Sequence, residues 1–209
     1  MNNAIHPTAI IGENVKMGTG NTVGPFCIIA DGVEIGSGNV FRASCVVGTP
    51  AQKVGYLCGE NSKGVVIGDN NHFSEGVIIH AGTEEITTIG NRVIMLHGAH
   101  LAHDATCEDD VTISARATVA GHCHLMRGCN IGIGASVHQH QVVGSFVMLG
   151  GNCFAHKNIK LIPGLIFVGV PARLLRNNNL ALQKRGITSE MLQEEIIRYR
   201  QILVARGMA

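Results

Sequence analysis

The chain has 209 residues, a length that suits one main domain with a small appendage, and its formal net charge is +1. That balance argues against nucleic acid or an anionic membrane surface as a partner. Glycine reaches 27 residues, aromatics only 4%, and Trp is absent, while apolar residues still make up 45%; this excludes a disordered chain and points to an interior of small and branched side chains.

The N-terminus, Met1 to Ala9, lacks the basic start and apolar run of a signal peptide. No uncharged apolar stretch is long enough to cross a bilayer. A cytoplasmic protein without membrane insertion is expected, and its seven cysteines are expected as thiols.

From Ile5 an apolar residue returns every six positions: Ile11, Met17, Val23, Ile29, Ile35, Phe41 and Val47. The period resumes at Ile67, Phe73 and Ile79, and then runs unbroken from Ile89 to Phe167, fourteen matches in one phase. Two residues before each lies a small or β-branched residue, such as Ala9, Cys27, Cys45, Ala99, Ala117, Cys129 or Ala135. Two inward positions two residues apart make a short strand with both side chains on one face. Corners of Gly or Asn, which tolerate positive φ, turn the chain; Asn14, Gly20, Asn21, Gly38, Asn39, Asn70 and Asn71 fit them. Three strands close a coil of about eighteen residues, stacked at roughly 4.8 Å. No helical period fits a repeat of six. The fold class expected is therefore mainly β: a left-handed parallel β-helix over residues 1–172, the known exception to right-handed crossovers.

The inward phase also accounts for most cysteines: Cys27, Cys45, Cys123, Cys129 and Cys153 fall at the small position and Cys107 at the large one. Cys58 lies outside the repeats as a candidate exposed thiol. There is no C-x-x-C zinc pattern.

Two excursions, 49–66 and 81–88, leave the repeats, and loops on a rigid solenoid are where binding residues gather. After Gly169-Val170-Pro171-Ala172 a helical extension, 173–209, is expected. It comprises a short helix over 178–185 closed by Gly186 and a second capped by Thr188 or Ser189, with Glu190 in its first turn. Leu192, Ile196, Tyr199 and Leu203 form the second helix's apolar stripe, which is expected to pack on a neighbouring subunit or on its own solenoid.

The eleven histidines cluster: His97, His100 and His103, then His122 and His124, then His138 and His140, then His156. Residues eighteen apart stack in such a coil, so His140 lies over His122, His156 over His138, and Gly121 over His103. A strip of outward histidines along several coils is the clearest functional signal in the chain. Asp104, directly after His103, could orient that imidazole and strengthen it as a base.

The segments His100-Leu101-Ala102-His103-Asp104, Val119-Ala120-Gly121-His122, Ala135-Ser136-Val137-His138-Gln139 and Gly150-Gly151 resemble the UDP-N-acetylglucosamine O-acyltransferases of lipid A synthesis. The tail from Asn178 to Gly186 is similar to that family's nucleotide-binding stretch, although the C-terminal helical part is much shorter. The resemblance implies an acyl transfer from acyl carrier protein to a sugar nucleotide, with no bound cofactor, no metal, and no covalent enzyme intermediate. On matching positions it implies His103 as general base, Asp104 as its orienting partner, and Gly121 as the oxyanion donor through its backbone N–H. It further implies Gln52, His100, His122, His138 and Gln139 as sugar-nucleotide contacts, with Asn178 and Arg185 reaching in from an adjacent subunit of a homotrimer. Gly151 would leave the acyl groove open.

The chain departs from the family where Lys53 follows Gln52, where Gly55 holds a lysine position, and where Leu180 replaces an acidic residue. Gly169-Val170-Pro171-Ala172-Arg173 is closer to the end of acetyl-CoA-dependent transferases. Two other readings therefore stand beside the first: acetyl transfer from CoA to a nucleotide-linked amino sugar through the same His103, and a γ-carbonic-anhydrase-like zinc lyase using His97, His100 and His103. The basic residues Lys184, Arg185, Arg198, Arg200 and Arg206 would either meet an acidic carrier or form a solvated helix face.

Overall fold

A computed structural model describes residues 2–54 and 62–208. Gly55 and Cys58 lie outside the described residues. The chain forms a left-handed parallel β-solenoid of about nine turns, followed by two short helices.

Every predicted large inward residue from Val23 onward is buried, including Phe41, Phe73, Leu101, Leu125 and Leu161. Ile5, Ile11 and Met17 are only partly covered because they lie in the first coil, where nothing stacks beneath them. Three sheets of ten, eight and seven strands form the walls among the described residues. The first contains Ile94–Met95 and Met148–Leu149, the second His100–Leu101 and Thr118–Val119, the third Thr106–Cys107 and His124–Leu125. Pairing steps by eighteen in the regular coils, as in His100 with Thr118 and Leu125 with Val143. The six described cysteines are all buried, and burial pushes the Cys45 and Cys123 thiols up to about 12.

The corners follow a rule that the sequence reading caught only in part. One residue per six takes a left-handed backbone conformation, as expected for Gly20, Gly38 and Asn70. Asn14 does not, and neither do Asn21, Asn39 and Asn71. Those three occupy the small inward position, two residues before Val23, Phe41 and Phe73, where they are buried. There they form a ladder: Asn39 Nδ2 donates to Asn21 Oδ1 at 3.0 Å and Asn71 Nδ2 to Asn39 Oδ1 at 2.9 Å. A buried amide needs such partners, and the next coil supplies them.

Beyond residue 172 the chain does not pass directly into helix. Arg173–Asn177 turns back as a strand, antiparallel to Leu165–Val168. It covers the edge of the last coil, whose backbone groups would otherwise lack a strand partner. Helix α1 (Asn179–Lys184) and helix α2 (Ser189–Ala205) follow; the Thr188 hydroxyl caps α2 by accepting the N–H of Met191.

Helix α2 packs on its own solenoid, with Tyr199 and Leu203 against Met126 and Val142. Glu195 is buried on the same face because it has partners: Arg127 donates to it at 2.6 Å, and the Ser145 hydroxyl also bonds it. Arg198 pairs with Glu108, which also accepts from His124 at 2.5 Å. His124 thus serves helix docking and does not belong to the histidine strip. Arg198 is likewise committed to helix docking.

Burial alone would raise the Glu108 carboxyl, but hydrogen bonds and charge from His124 and Arg198 outweigh it and bring it to about 2 from 4.5. A depressed carboxylate contributes stability that is complete above its unfolded value and is lost as pH falls. The docking of α2 is therefore expected to weaken from about pH 4.5 down through about pH 2. Amide exchange of α2, normalised to intrinsic rates, should show reduced protection at pH 3 and, for Glu108→Gln, at pH 7. Equal protection in all three samples would contradict this role.

Candidate active site

Both excursions and the histidine strip lie on one edge of the solenoid, where the second sheet passes to the third. The first excursion leaves after Val46–Thr49 and rejoins at Val65–Ile67; the second lies between Ile78–His80 and Thr87–Ile89. His103, Asp104, Gly121, His122, His138, Gln139 and His140 occupy successive corners of that edge. Gln52 is exposed on the first excursion, and neighbouring Lys53 pairs with Glu84 of the second at 2.9 Å.

The second excursion builds a binding turn for Asp104. Its Oδ1 accepts the backbone N–H groups of Thr83, Glu84 and Glu85 at 2.9, 2.8 and 2.7 Å. Its Oδ2 accepts the Thr83 hydroxyl at 2.8 Å and His103 Nδ1 at 2.5 Å. Thr87 Oγ1 accepts the Asp104 N–H at 2.9 Å. Three successive N–H groups make a concave anion site. Burial would raise the Asp104 carboxyl, yet the His103 bond and the donors of this turn hold it well below the usual carboxylate range. Gly82 is required for the turn, because a Cβ there would lie 1.6 Å from the Glu85 carbonyl oxygen.

An ionised Asp104 accepts Nδ1–H of His103, which leaves Nε2 as the free acceptor. The ring lies directly against Gly121: a Cβ at that residue would sit 2.7 Å from His103 Cε1 and 2.8 Å from Nε2. Among the described residues the Gly121 N–H has no hydrogen-bond acceptor. His122 meets the His103 ring edge-on at 5.2 Å and stacks with His140 at 4.6 Å, as the eighteen-residue register predicts.

His100 lies one strand before His103, and its Nε2 is 3.0 Å from Nδ1 of His80. His80 is buried, and desolvation, with the charges of His100 and His103, lowers it to about 4. Burial and His103 lower His100 as well. His80 and His100 are therefore neutral at pH 7. Sequence counting missed His80 because the second excursion adds residues: Ile78 pairs with His100, twenty-two positions on instead of eighteen. The pairing of a strand ending in His just before an excursion was the available signal.

Other predicted residues lie on different edges. Gly151 is exposed at the corner between the first and second sheets. Asn178 donates to the Phe146 carbonyl at 2.9 Å, and Arg185 lies 5.9 Å over the Phe146 ring, at the corner between the third and first sheets. One chain does not bring these residues to His103. The zinc-lyase set is also separated, since His97 falls on the Gly151 edge. Among the described residues His103, Asp104 and His122 do offer ligand atoms within 4.8 Å. Both Asp104 oxygens, however, already accept protein donors, and the set fits a charge-relay pair better than a cation.

A hexapeptide-type β-solenoid carrying a carboxylate-held imidazole on a glycine floor is the architecture of a hexapeptide-repeat transferase. The chain belongs to the UDP-N-acetylglucosamine O-acyltransferase family. It is 32% identical over 204 residues to the acyl-(acyl-carrier-protein)–UDP-N-acetylglucosamine O-acyltransferase of Syntrophobacter fumaroxidans, covering 96% of this chain and 77% of that protein. Its match to the enzyme of that name from Synechocystis sp. is 32% over 148 residues, covering 70% of this chain. There the chain spans only about half, 52%, of the relative's length. The solved Francisella novicida UDP-N-acetylglucosamine acyltransferase aligns with a TM-score of 0.80 and 26% identity, over 94% of this chain and 78% of that one. No family model matches the chain. No helix among the described residues is long and apolar enough to cross a membrane.

Proposed function

We propose that this protein transfers an acyl group from the thioester of acyl carrier protein to a hydroxyl of UDP-N-acetylglucosamine or a close nucleotide sugar. The observation that carries the reading is the His103–Asp104 pair seated on Gly121. His103 Nε2 takes the proton of the acceptor hydroxyl as its oxygen attacks the thioester carbon. The Gly121 N–H receives the oxyanion of the tetrahedral intermediate. As the intermediate collapses the C–S bond breaks, and the imidazolium returns its proton to the leaving thiolate. Asp104 stabilises the imidazolium without accepting its proton, because five donors hold it as a carboxylate. No covalent enzyme intermediate forms.

Gln52, His100, His122, His138 and Gln139 contact the acceptor. His80 supports His100 from beneath. In a homotrimer Asn178 and Arg185 of a neighbouring copy close the nucleotide side, and Gly151 leaves room for the acyl chain. This arrangement explains why one chain distributes family-matching residues over three edges. The compartment fitting these substrates is the cytoplasm.

Mass spectrometry of products from a panel of thioesters on acyl carrier protein and CoA, with several nucleotide sugars and increasing chain lengths, tests the reading. An O-acylated UDP-N-acetylglucosamine made from the carrier-bound donor is expected. An N-acetylated amino sugar made from acetyl-CoA would replace this reading by the alternative one.

A further inference from the structure

Helix α2 ends in a feature that the transfer chemistry above does not use. Arg206, its C-terminal cap, donates from Nη1 to the His122 carbonyl oxygen at 2.6 Å. The following residue but one, Met208, is bonded through its carbonyl by Lys160. The segment therefore lies across the third-sheet side of the histidine edge. Together Arg206 and Met208 wall a cavity of about 640 Å3 whose other sides include Thr88, Asp104, Thr106 and His122.

Arg206 differs from Arg198 and Arg127, the two arginines that dock this helix. Arg198 is bound by two carboxylates and Arg127 by one. Among the described residues Arg206 has no carboxylate partner; its one hydrogen bond goes to a neutral carbonyl. Desolvation lowers its pKa, opposed only by the charge of the buried Cys123 thiol. It is also held in place: the Glu195 and Glu108 pairs lock α2 about two to three turns earlier, and a guanidinium offers five donors in a fixed fork. Across the cavity it faces the hydroxyls of Thr88 and Thr106, the imidazoles of His122 and His140, and the carboxylates of Asp104 and Glu85.

We propose that Arg206 is a substrate-binding residue, and that its cavity receives a phosphate group of one of the two substrates, beside the reacting centre. The proposal rests on the acyl-transfer reading for the identity of the phosphate carrier. A phosphate could arrive on the nucleotide sugar or on the phosphopantetheine arm of the donor. A guanidinium presents two parallel N–H donors to either. Thr88 and Thr106, stacked one coil apart, add hydroxyl donors to the same wall. Two carboxylates oppose an incoming anion: Asp104, whose oxygens are engaged by five donors, and Glu85.

Direct titration of the full chain with inorganic phosphate, UDP and phosphopantetheine, by calorimetry, tests the site without requiring turnover. Arg206→Gln should weaken binding of one of the two organic ligands, and of phosphate, by about tenfold or more. Arg206→Lys should retain part of the affinity, and Glu85→Gln should tighten it. The ligand affected identifies the substrate, and KM for that substrate should rise with kcat less changed. Amide exchange of α2 checks that helix docking is intact in each variant. Unchanged affinity for all three ligands in Arg206→Gln overturns the proposal. Failure of the wild-type protein to transfer any acyl group would instead remove the acyl-transfer reading and leave the phosphate titration to stand by itself.

Discussion

Replacing His103 by alanine is expected to lower turnover by about a hundredfold or more while leaving the solenoid folded. The side chain is on an outer corner, so no core volume is lost, and among the described residues its one hydrogen bond is to Asp104. The consequence is chemical: the acceptor hydroxyl loses the group that removes its proton. Thermal unfolding should remain close to wild type, because Asp104 keeps four other donors when the imidazole is absent. Turnover within a few-fold of wild type would refute the assignment. A parallel collapse of thermal stability would mean that His103 is needed for the fold.

Gly121→Ala is expected to approach the same loss through geometry alone. Gly121 does not require a left-handed backbone, so alanine suits the main chain. Its Cβ would nevertheless lie 2.7 Å from His103 Cε1 and 2.8 Å from Nε2, closer than real contacts permit. The flexible partner is the imidazole, which must swing away and stretch its 2.5 Å bond to Asp104 Oδ2. A misplacement near 1 Å at a reacting group can cost about a hundredfold in rate. Turnover should fall by one to three orders of magnitude, with the melting temperature little changed. The proton NMR signal of His103 Nδ1–H, expected far downfield in the wild type, should move upfield. An unaltered signal with full activity would mean that the ring tolerates the methyl group and that Gly121 does not set its position.

These two outcomes separate the parts played by the carboxylate turn and the glycine floor. The first anchors one side of the imidazole and the second admits the other. The left-handed corner position brings them together. Asp104, His122 and His140 adopt φ near +60°, which costs roughly 1 kcal/mol or more for a non-glycine residue. At other corners of the solenoid glycine or asparagine often takes that position, as at Gly98, Gly128 and Asn152.

The period of six was readable in the sequence because solenoid burial is local. Each inward residue contacts its own coil and the next, so the pattern needs no distant partner to be recognised. The stacking of His140 on His122 and of Gly121 on His103 followed from the same count. The count stops working wherever the chain leaves the coil. That is why His80 escaped notice beneath His100, and why the Thr83–Glu85 turn around Asp104 could not be foreseen. Asn21, Asn39 and Asn71 illustrate a second limit. Asparagine suits a corner and a buried ladder equally well by composition, and only the partners one coil away decide between them.

The tail shows the division most clearly. Its two helices, the Thr188 cap and the Tyr199–Leu203 stripe are local features and were legible from spacing. That α2 lies on its own solenoid was decided by Glu108, Arg127 and Ser145, which pair with Glu195 and Arg198 across 50 to 90 residues of sequence, and by His124, which holds Glu108. The solenoid, its buried cysteines, the histidine edge and the pairing of Asp104 with His103 were legible before folding, because a short repeat encodes its own neighbours. The donors that keep Asp104 ionised, the use of His124 in helix docking and the place of Arg206 came from the fold, because they depend on groups brought together from distant coils.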